Sequence, residues 1–110
     1  MRLSEGEVSG VIKGITALLP SVIVFPIELR LYGSRVDDTR KGGDIDLLLV
    51  ISDKKIKNEL IENKHILLSQ IKKYIGEQKI DILIKDPNEV QSDPFIETIY
   101  PNSILLYKWK

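Results

Sequence analysis

The fold of this chain is decided by two short stretches of sequence, Leu31-Tyr32-Gly33-Ser34-Arg35 and, eight residues later, Asp44-Ile45-Asp46-Leu47. Side chains alternate along a β-strand, so Asp44 and Asp46 are predicted to share one face while the apolar residues beside them occupy the other. Two like charges about 7 Å apart repel each other, and folding alone gives no reason to place them there. A divalent cation would remove the repulsion, because hard ions such as Mg²⁺ bind carboxylates together with substrate phosphates.

The residues around this pair predict that it lies at the mouth of a core strand. Alternating apolar residues over 27–32 predict one strand, and the apolar run Leu47-Leu48-Leu49-Val50-Ile51 predicts a second, buried one. A third acid, Asp81, lies in the predicted strand 79–84, on the face opposite its isoleucines. Three acids at the polar ends of two core strands are what a two-metal phosphoryl or nucleotidyl transfer site needs.

These motifs together resemble the signature of the DNA polymerase β-like nucleotidyltransferase superfamily. More narrowly, they resemble the minimal nucleotidyltransferases of bacteria and archaea. The resemblance covers roughly residues 5–107, and Asp81 matches the third catalytic acid of that family in order and in strand context. The chain departs from the pattern at Gly43, where the family often has serine; this loosens the loop but removes no metal ligand.

The resemblance implies a function and a set of site residues. It implies transfer of a nucleoside monophosphate, AMP from ATP in the first instance, to a hydroxyl group. The acids Asp44, Asp46 and Asp81 would bind two Mg²⁺ ions, for which Mn²⁺ could substitute, and Asp81 would also serve as general base. The turn Gly33, Ser34 and Arg35 would bind the nucleotide: glycine permits close approach of a phosphate, serine offers a hydroxyl and an amide, and arginine a forked donor.

The acceptor is predicted to be a protein. The narrower family resembles the antitoxin half of toxin–antitoxin modules, in which it modifies a tyrosine of a helical HEPN-type RNase toxin with AMP. Two alternatives remain: a small-molecule nucleotidyltransferase like the aminoglycoside-modifying enzymes, and a non-catalytic module that neutralises its partner by contact. A chain of 110 residues has little room for a second, acceptor-binding domain, which disfavours the small-molecule alternative.

Composition sets the remaining bounds. At 110 residues the chain is predicted to form a single domain, residues 1–110. Sixteen basic residues balance sixteen acidic ones, so no basic face for nucleic acid is indicated. There is no cysteine, and the apolar runs are too short to span a membrane, so a cytoplasmic location is expected.

The pattern of elements predicts an α/β (α+β) fold, a small mixed sheet with helices packed on one face. A capping box of Ser4 and Glu7 predicts a first helix that ends by Pro20, and one helix is expected from residue 53 to a stop at Gly76. A short helix is predicted to follow Asp93 and to end before Pro101. The predicted strands are 27–32, 45–51, 79–84 and 104–107.

Five further side chains are assigned lesser roles. Arg40 and Lys41 are interpreted as solvated loop charges, and the single histidine, His65, as a solvated or half-buried helix residue. Tyr107 and Trp109 are expected to pack the terminal strand or to contact a partner, because aromatic residues are enriched at interfaces.

Overall fold

The strands of the protein form a mixed, four-stranded sheet in the order β3-β2-β1-β4. The computed structural model describes residues 3–36 and 43–110, and only the backbone of Ser34. The central strand β1 is antiparallel to both of its neighbours, whereas β2 and β3 are parallel. The bounds are Ile27–Tyr32 for β1, Ile45–Ile51 for β2, Ile80–Lys85 for β3 and Ile104–Trp109 for β4.

Five α-helices of the described residues precede or connect the strands. Their bounds are Glu5–Thr16 for α1, Lys54–Glu62 for α2, Lys64–Ile75 for α3, Pro87–Ser92 for α4 and Pro94–Ile99 for α5, with short 3₁₀ turns at Gly33–Val36 and Tyr100–Asn102. The predicted capping box is present, because Ser4 Oγ accepts from the Glu7 amide at 3.1 Å and Glu7 accepts from the Ser4 amide at 3.0 Å.

The main core lies between one face of the sheet and the long helices α1 and α3. Alternate strand residues, among them Leu29, Leu47 and Ile82, are fully buried there. Each such side chain contributes about 1.5–3 kcal/mol relative to exposure. The two helices approach closely at Gly14, where an added Cβ would lie 2.7 Å from the backbone of Ile71.

The opposite face of the sheet carries a second, smaller cluster. The short helices α4 and α5 cover part of it, and Ile96 of α5 packs with Leu48 and Val50 of β2. The prediction placed helices on one face; the two long helices do pack there, and the C-terminal pair adds this second layer. The small mixed sheet with helices confirms the predicted fold class.

Several predicted bounds need correction. The helix predicted from 53 to 76 is two helices, broken at Asn63, whose side chain donates to the Glu59 carbonyl at 2.9 Å. Asparagine side chains compete for backbone groups in this way and favour caps over helix interiors. Helix α4 was not predicted, and β4 extends to Trp109 instead of residue 107. Strand β3 is shifted by one residue, to Ile80–Lys85.

The length and apolar character of the helices bear on whether the described residues could cross a membrane. None in residues 3–36 or 43–110 is both long and apolar enough to cross a membrane.

Candidate nucleotidyl transfer site

The three predicted acids lie at the same end of two parallel strands. Asp46 on β2 is in register with Asp81 on β3, and with Tyr32 on the other side. Asp44 directly precedes β2, where the Ile45 amide donates to the Lys79 carbonyl at 2.9 Å and so ties the beginnings of β2 and β3 together. The fold therefore brings together three carboxylates that are separated by up to 37 residues in the sequence, from position 44 to position 81.

The electrostatics of Asp46 show that it lies close enough to Asp44 and Asp81 to be affected by their charges. Burial raises the pKa of the Asp46 carboxyl, and the negative charges of Asp44 and then Asp81 raise it further. Its strand neighbours Ile45 and Leu47 point into the main core, so Asp46 lies on the opposite face, as the alternation predicts. A raised pKa means that the ionised carboxylate is less stable here than in water. A bound cation would stabilise the ionised form.

Gly33 leaves room for the Asp46 carboxylate. The residue has a positive φ of 81°, and a Cβ atom at this position would clash with Oδ2 of Asp46. Glycine adopts this backbone conformation without strain. The sequence predicts that Gly33 lets a phosphate approach. In the structure, the lack of a side chain at Gly33 lets the Asp46 carboxylate pack against the turn.

The turn after β1 carries the other predicted nucleotide ligands. The backbone of Ser34 lies in the 3₁₀ turn Gly33–Val36, but its hydroxyl is outside the described atoms. Arg35 Nη2 donates to the Gly43 carbonyl at 3.1 Å, so its guanidinium lies next to the residue that precedes Asp44. The loop positions Arg40 and Lys41 fall in 37–42, outside the described residues.

Two of the acids contact lysines. Lys64 Nζ lies 3.4 Å from Asp81 Oδ1, and Lys79 Nζ lies 3.7 Å from Asp44 Oδ2. As placed, no three acidic, histidine or cysteine side chains of the described part of the chain are gathered closely enough to hold a metal ion. The donor set nevertheless fits Mg²⁺ by its chemistry, since carboxylates are the protein ligands that this ion prefers and Asp46 is held in a field that favours a cation.

Tyr32 forms the wall of the site on the β1 side. It is buried and packs edge-to-face on Phe95, with ring centroids 6.3 Å apart. Burial, and then the charges of Asp46 and Asp81, raise the pKa of Tyr32 to about 12. The phenol therefore stays protonated at neutral pH and is a hydrogen-bond donor beside the acids.

Two lysines at the site were not predicted from the sequence. Lys64 was not predicted, because its contact joins residues 17 positions apart and leaves no local pattern. Lys79 stands two residues before Asp81, and this spacing in a predicted strand was the signal for it. Trp109 has the first of its two expected roles, packing of the terminal strand: it is buried in the main core, where its indole donates to Thr16 at 3.0 Å, and so it is not available as a partner contact. His65 is exposed on α3, as expected.

Comparison with known proteins assigns this fold and site to a class. Residues 11–103 match the family described as "Nucleotidyltransferase domain". The match covers well over half of the chain and includes the turn at Gly33 and all three acids, so the chain belongs to the nucleotidyltransferase domain family. This membership confirms the superfamily that the sequence resembles, and it makes general nucleotidyl transfer from an NTP the activity of the class. Neither the curated proteins nor the solved structures that were searched gave a match.

Proposed function

We propose that this nucleotidyltransferase uses Asp44, Asp46 and Asp81 to transfer AMP from ATP to a hydroxyl group in an Mg²⁺-dependent reaction. The observation that carries the proposal is the placing of Asp46 beside two other acids whose charges act on it. Asp46 and Asp81 stand in register on neighbouring strands, and the charges of both Asp44 and Asp81 raise the pKa of Asp46. A protein gains nothing in stability from this arrangement, which points to a ligand of positive charge.

Each acid has a defined part in this proposal. In the proposal, Asp44 and Asp46 bind the metal–nucleotide complex, while Asp81 shares a metal ion with them and also accepts the proton of the attacking hydroxyl. Bound Mg²⁺ would neutralise triphosphate charge and lower the pKa of that hydroxyl. Positioning and charge neutralisation account for most of the catalysis in such transfers, so a small site with few other groups suffices.

The turn after β1 is proposed to receive the phosphates. Gly33 brings the backbone close to the acids, and Ser34 follows with an amide and a hydroxyl. Arg35 is also proposed as a nucleotide ligand, because its guanidinium lies beside Gly43, the residue that precedes Asp44. A forked donor suits a phosphate better than a point charge does.

The acceptor is proposed to be a tyrosine of a helical, HEPN-type toxin, with this chain as its antitoxin. The side chains of Asp44 and Asp81 are 50% and 57% exposed. Such an open rim admits a protruding segment of another protein, whereas small-substrate pockets bury most of their ligand. The balance of sixteen basic and sixteen acidic residues gives no long-range attraction for RNA or DNA.

A labelling experiment tests this function. The protein is incubated with ATP labelled at the α-phosphate, Mg²⁺ and the protein encoded next to it, with Asp81→Asn as the inactive control. The proposal expects label on the neighbour, with the mass of AMP on a tyrosine, and none with Asp81→Asn. Label on an added aminoglycoside alone would instead favour the small-molecule alternative. A tight complex without any label would favour an antitoxin that acts by contact.

A further inference from the structure

Two lysines outside the predicted motif form ion pairs with carboxylates of the candidate site. Lys64 lies 3.4 Å from Asp81, and Lys79 lies 3.7 Å from Asp44. The lysine at Asp81 is the better enclosed of the two, since its side chain is 38% exposed and that of Lys79 is 83% exposed. An ammonium group is a compact point charge on a flexible stem, so it can neutralise a carboxylate and also leave it.

The position of Lys64 follows from the break between α2 and α3. Asn63 ends α2 with φ −109° and ψ 28°, and α3 begins again at Lys64. The new helix packs along α1 through Leu67 and Ile71, and its first residue reaches the beginning of β3, where Asp81 lies.

We propose that Lys64 is a positioning residue of the transfer site, which neutralises Asp81 before the metal–nucleotide complex binds and then moves to the triphosphate. The inference rests on the proposed metal-dependent transfer and adds a residue and an order of events to it. When Asp81 binds a metal ion it no longer needs the ammonium group, and the flexible side chain of Lys64 is then free to pair with the negative charge of a triphosphate.

This exchange predicts effects of opposite sign in two binding measurements. Removing the positive charge at position 64 removes a competitor and a source of repulsion for a bare cation, so Lys64→Gln should bind Mn²⁺ about threefold more tightly. The same change removes a phosphate partner, so the variant should bind Mn²⁺ with a non-hydrolysable ATP analogue about threefold more weakly. A purely structural role would move both affinities in the same direction.

The test uses the whole chain and a matched control. Mn²⁺ binding is followed by electron paramagnetic resonance, and binding of the analogue by calorimetry, for the wild type, Lys64→Gln and Lys64→Arg. Lys72→Gln is the control, because Lys72 lies on the same helix, is 35% exposed and pairs with Glu77 at 3.8 Å. Lys64→Arg should remain close to wild type in both measurements, Lys72→Gln should change neither, and the Lys64→Gln effect should shrink at high salt.

Several results would overturn the inference. It is wrong if Lys64→Gln binds Mn²⁺ as the wild type does, or if both affinities change in the same direction. Equal losses in Lys64→Gln and Lys64→Arg, with a changed circular dichroism spectrum, would also contradict it, because that result marks a structural residue. An Asp46→Asn variant separates this failure from failure of the site. If Asp46→Asn does not weaken Mn²⁺ binding, the proposed metal site itself is wrong.

Discussion

Neutralising Asp46 should stabilise the metal-free protein. Burial and the charges of Asp44 and Asp81 raise the pKa of this carboxyl, so the ionised form is costly in the folded state. Asparagine keeps nearly the same shape and removes the charge. We therefore expect Asp46→Asn to unfold at a higher temperature than the wild type when no divalent ion is present.

The size of this effect follows from the register of β2 and β3. Neighbouring strands are about 4.8 Å apart, so the backbones of the in-register residues Asp46 and Asp81 lie roughly 5 Å apart, and we take this spacing as the scale for the separation of their charges. Two unit charges at that distance repel by about 0.8 kcal/mol in water and about 3 kcal/mol in a protein-like medium. Because the Asp81 side chain is 57% exposed, a gain of about 1 kcal/mol is expected. For 110 residues this raises the melting temperature by about 4 °C.

Thermal unfolding in the presence of a chelator measures the gain. Glu77→Gln is the control, since it removes the same charge from a side chain that is 90% exposed, and it should change the melting temperature little. The gain should also narrow on acidification. A raised pKa costs the wild type stability only while Asp46 is ionised, and this cost disappears as the pH falls through the raised pKa towards the ordinary value of 3.8. An Asp46→Asn variant no more stable than the wild type at neutral pH would refute the reasoning.

Two glycine substitutions test the packing and the turn. Gly14→Ala should destabilise the protein by about 1–3 kcal/mol in urea unfolding, because its Cβ would lie 2.7 Å from the Ile71 backbone. Gly6→Ala on the same helix should instead gain up to about 1 kcal/mol, because its Cβ would meet only Ser4 Oγ, at an ordinary 3.9 Å. Equal effects would contradict the close helix contact. Gly33→Ala should cost about 1–2 kcal/mol and weaken Mn²⁺ binding, since its Cβ would displace the Asp46 carboxylate, and an unchanged Mn²⁺ affinity would show that this carboxylate is not a ligand.

The parts of the fold that depend on local patterns could be predicted from the sequence. Strands β1 and β2 have the predicted bounds because alternation, a glycine turn and an apolar run are all local signals. The shared polar face of Asp46 and Asp81 could be predicted, but their register could not, since the predicted strand 79–84 places Asp81 two residues in whereas Asp46 lies one residue into 45–51.

The rest depends on contacts between distant residues. The break at Asn63 has only a weak local signal, because one asparagine that can bond to a backbone carbonyl does not by itself end a long apolar helical pattern. Helix α4 does have a local signal in the sequence, the capping box of Asp86 and Glu89 with Pro87 in the first turn. The contact of Lys64 with Asp81 has no local signature.

The most direct test of the proposed site is nucleotide binding by the variant Asp44→Asn/Asp46→Asn. A non-hydrolysable ATP analogue is titrated in a calorimeter, with Mg²⁺ present, into the wild type and into this variant. Circular dichroism and thermal unfolding of both proteins establish that the fold is retained. The variant should lose Mg²⁺-dependent binding of the analogue. Its fold should be intact, and its melting temperature should be at least that of the wild type. Unchanged affinity in the folded variant would contradict the assignment of these acids to the transfer site.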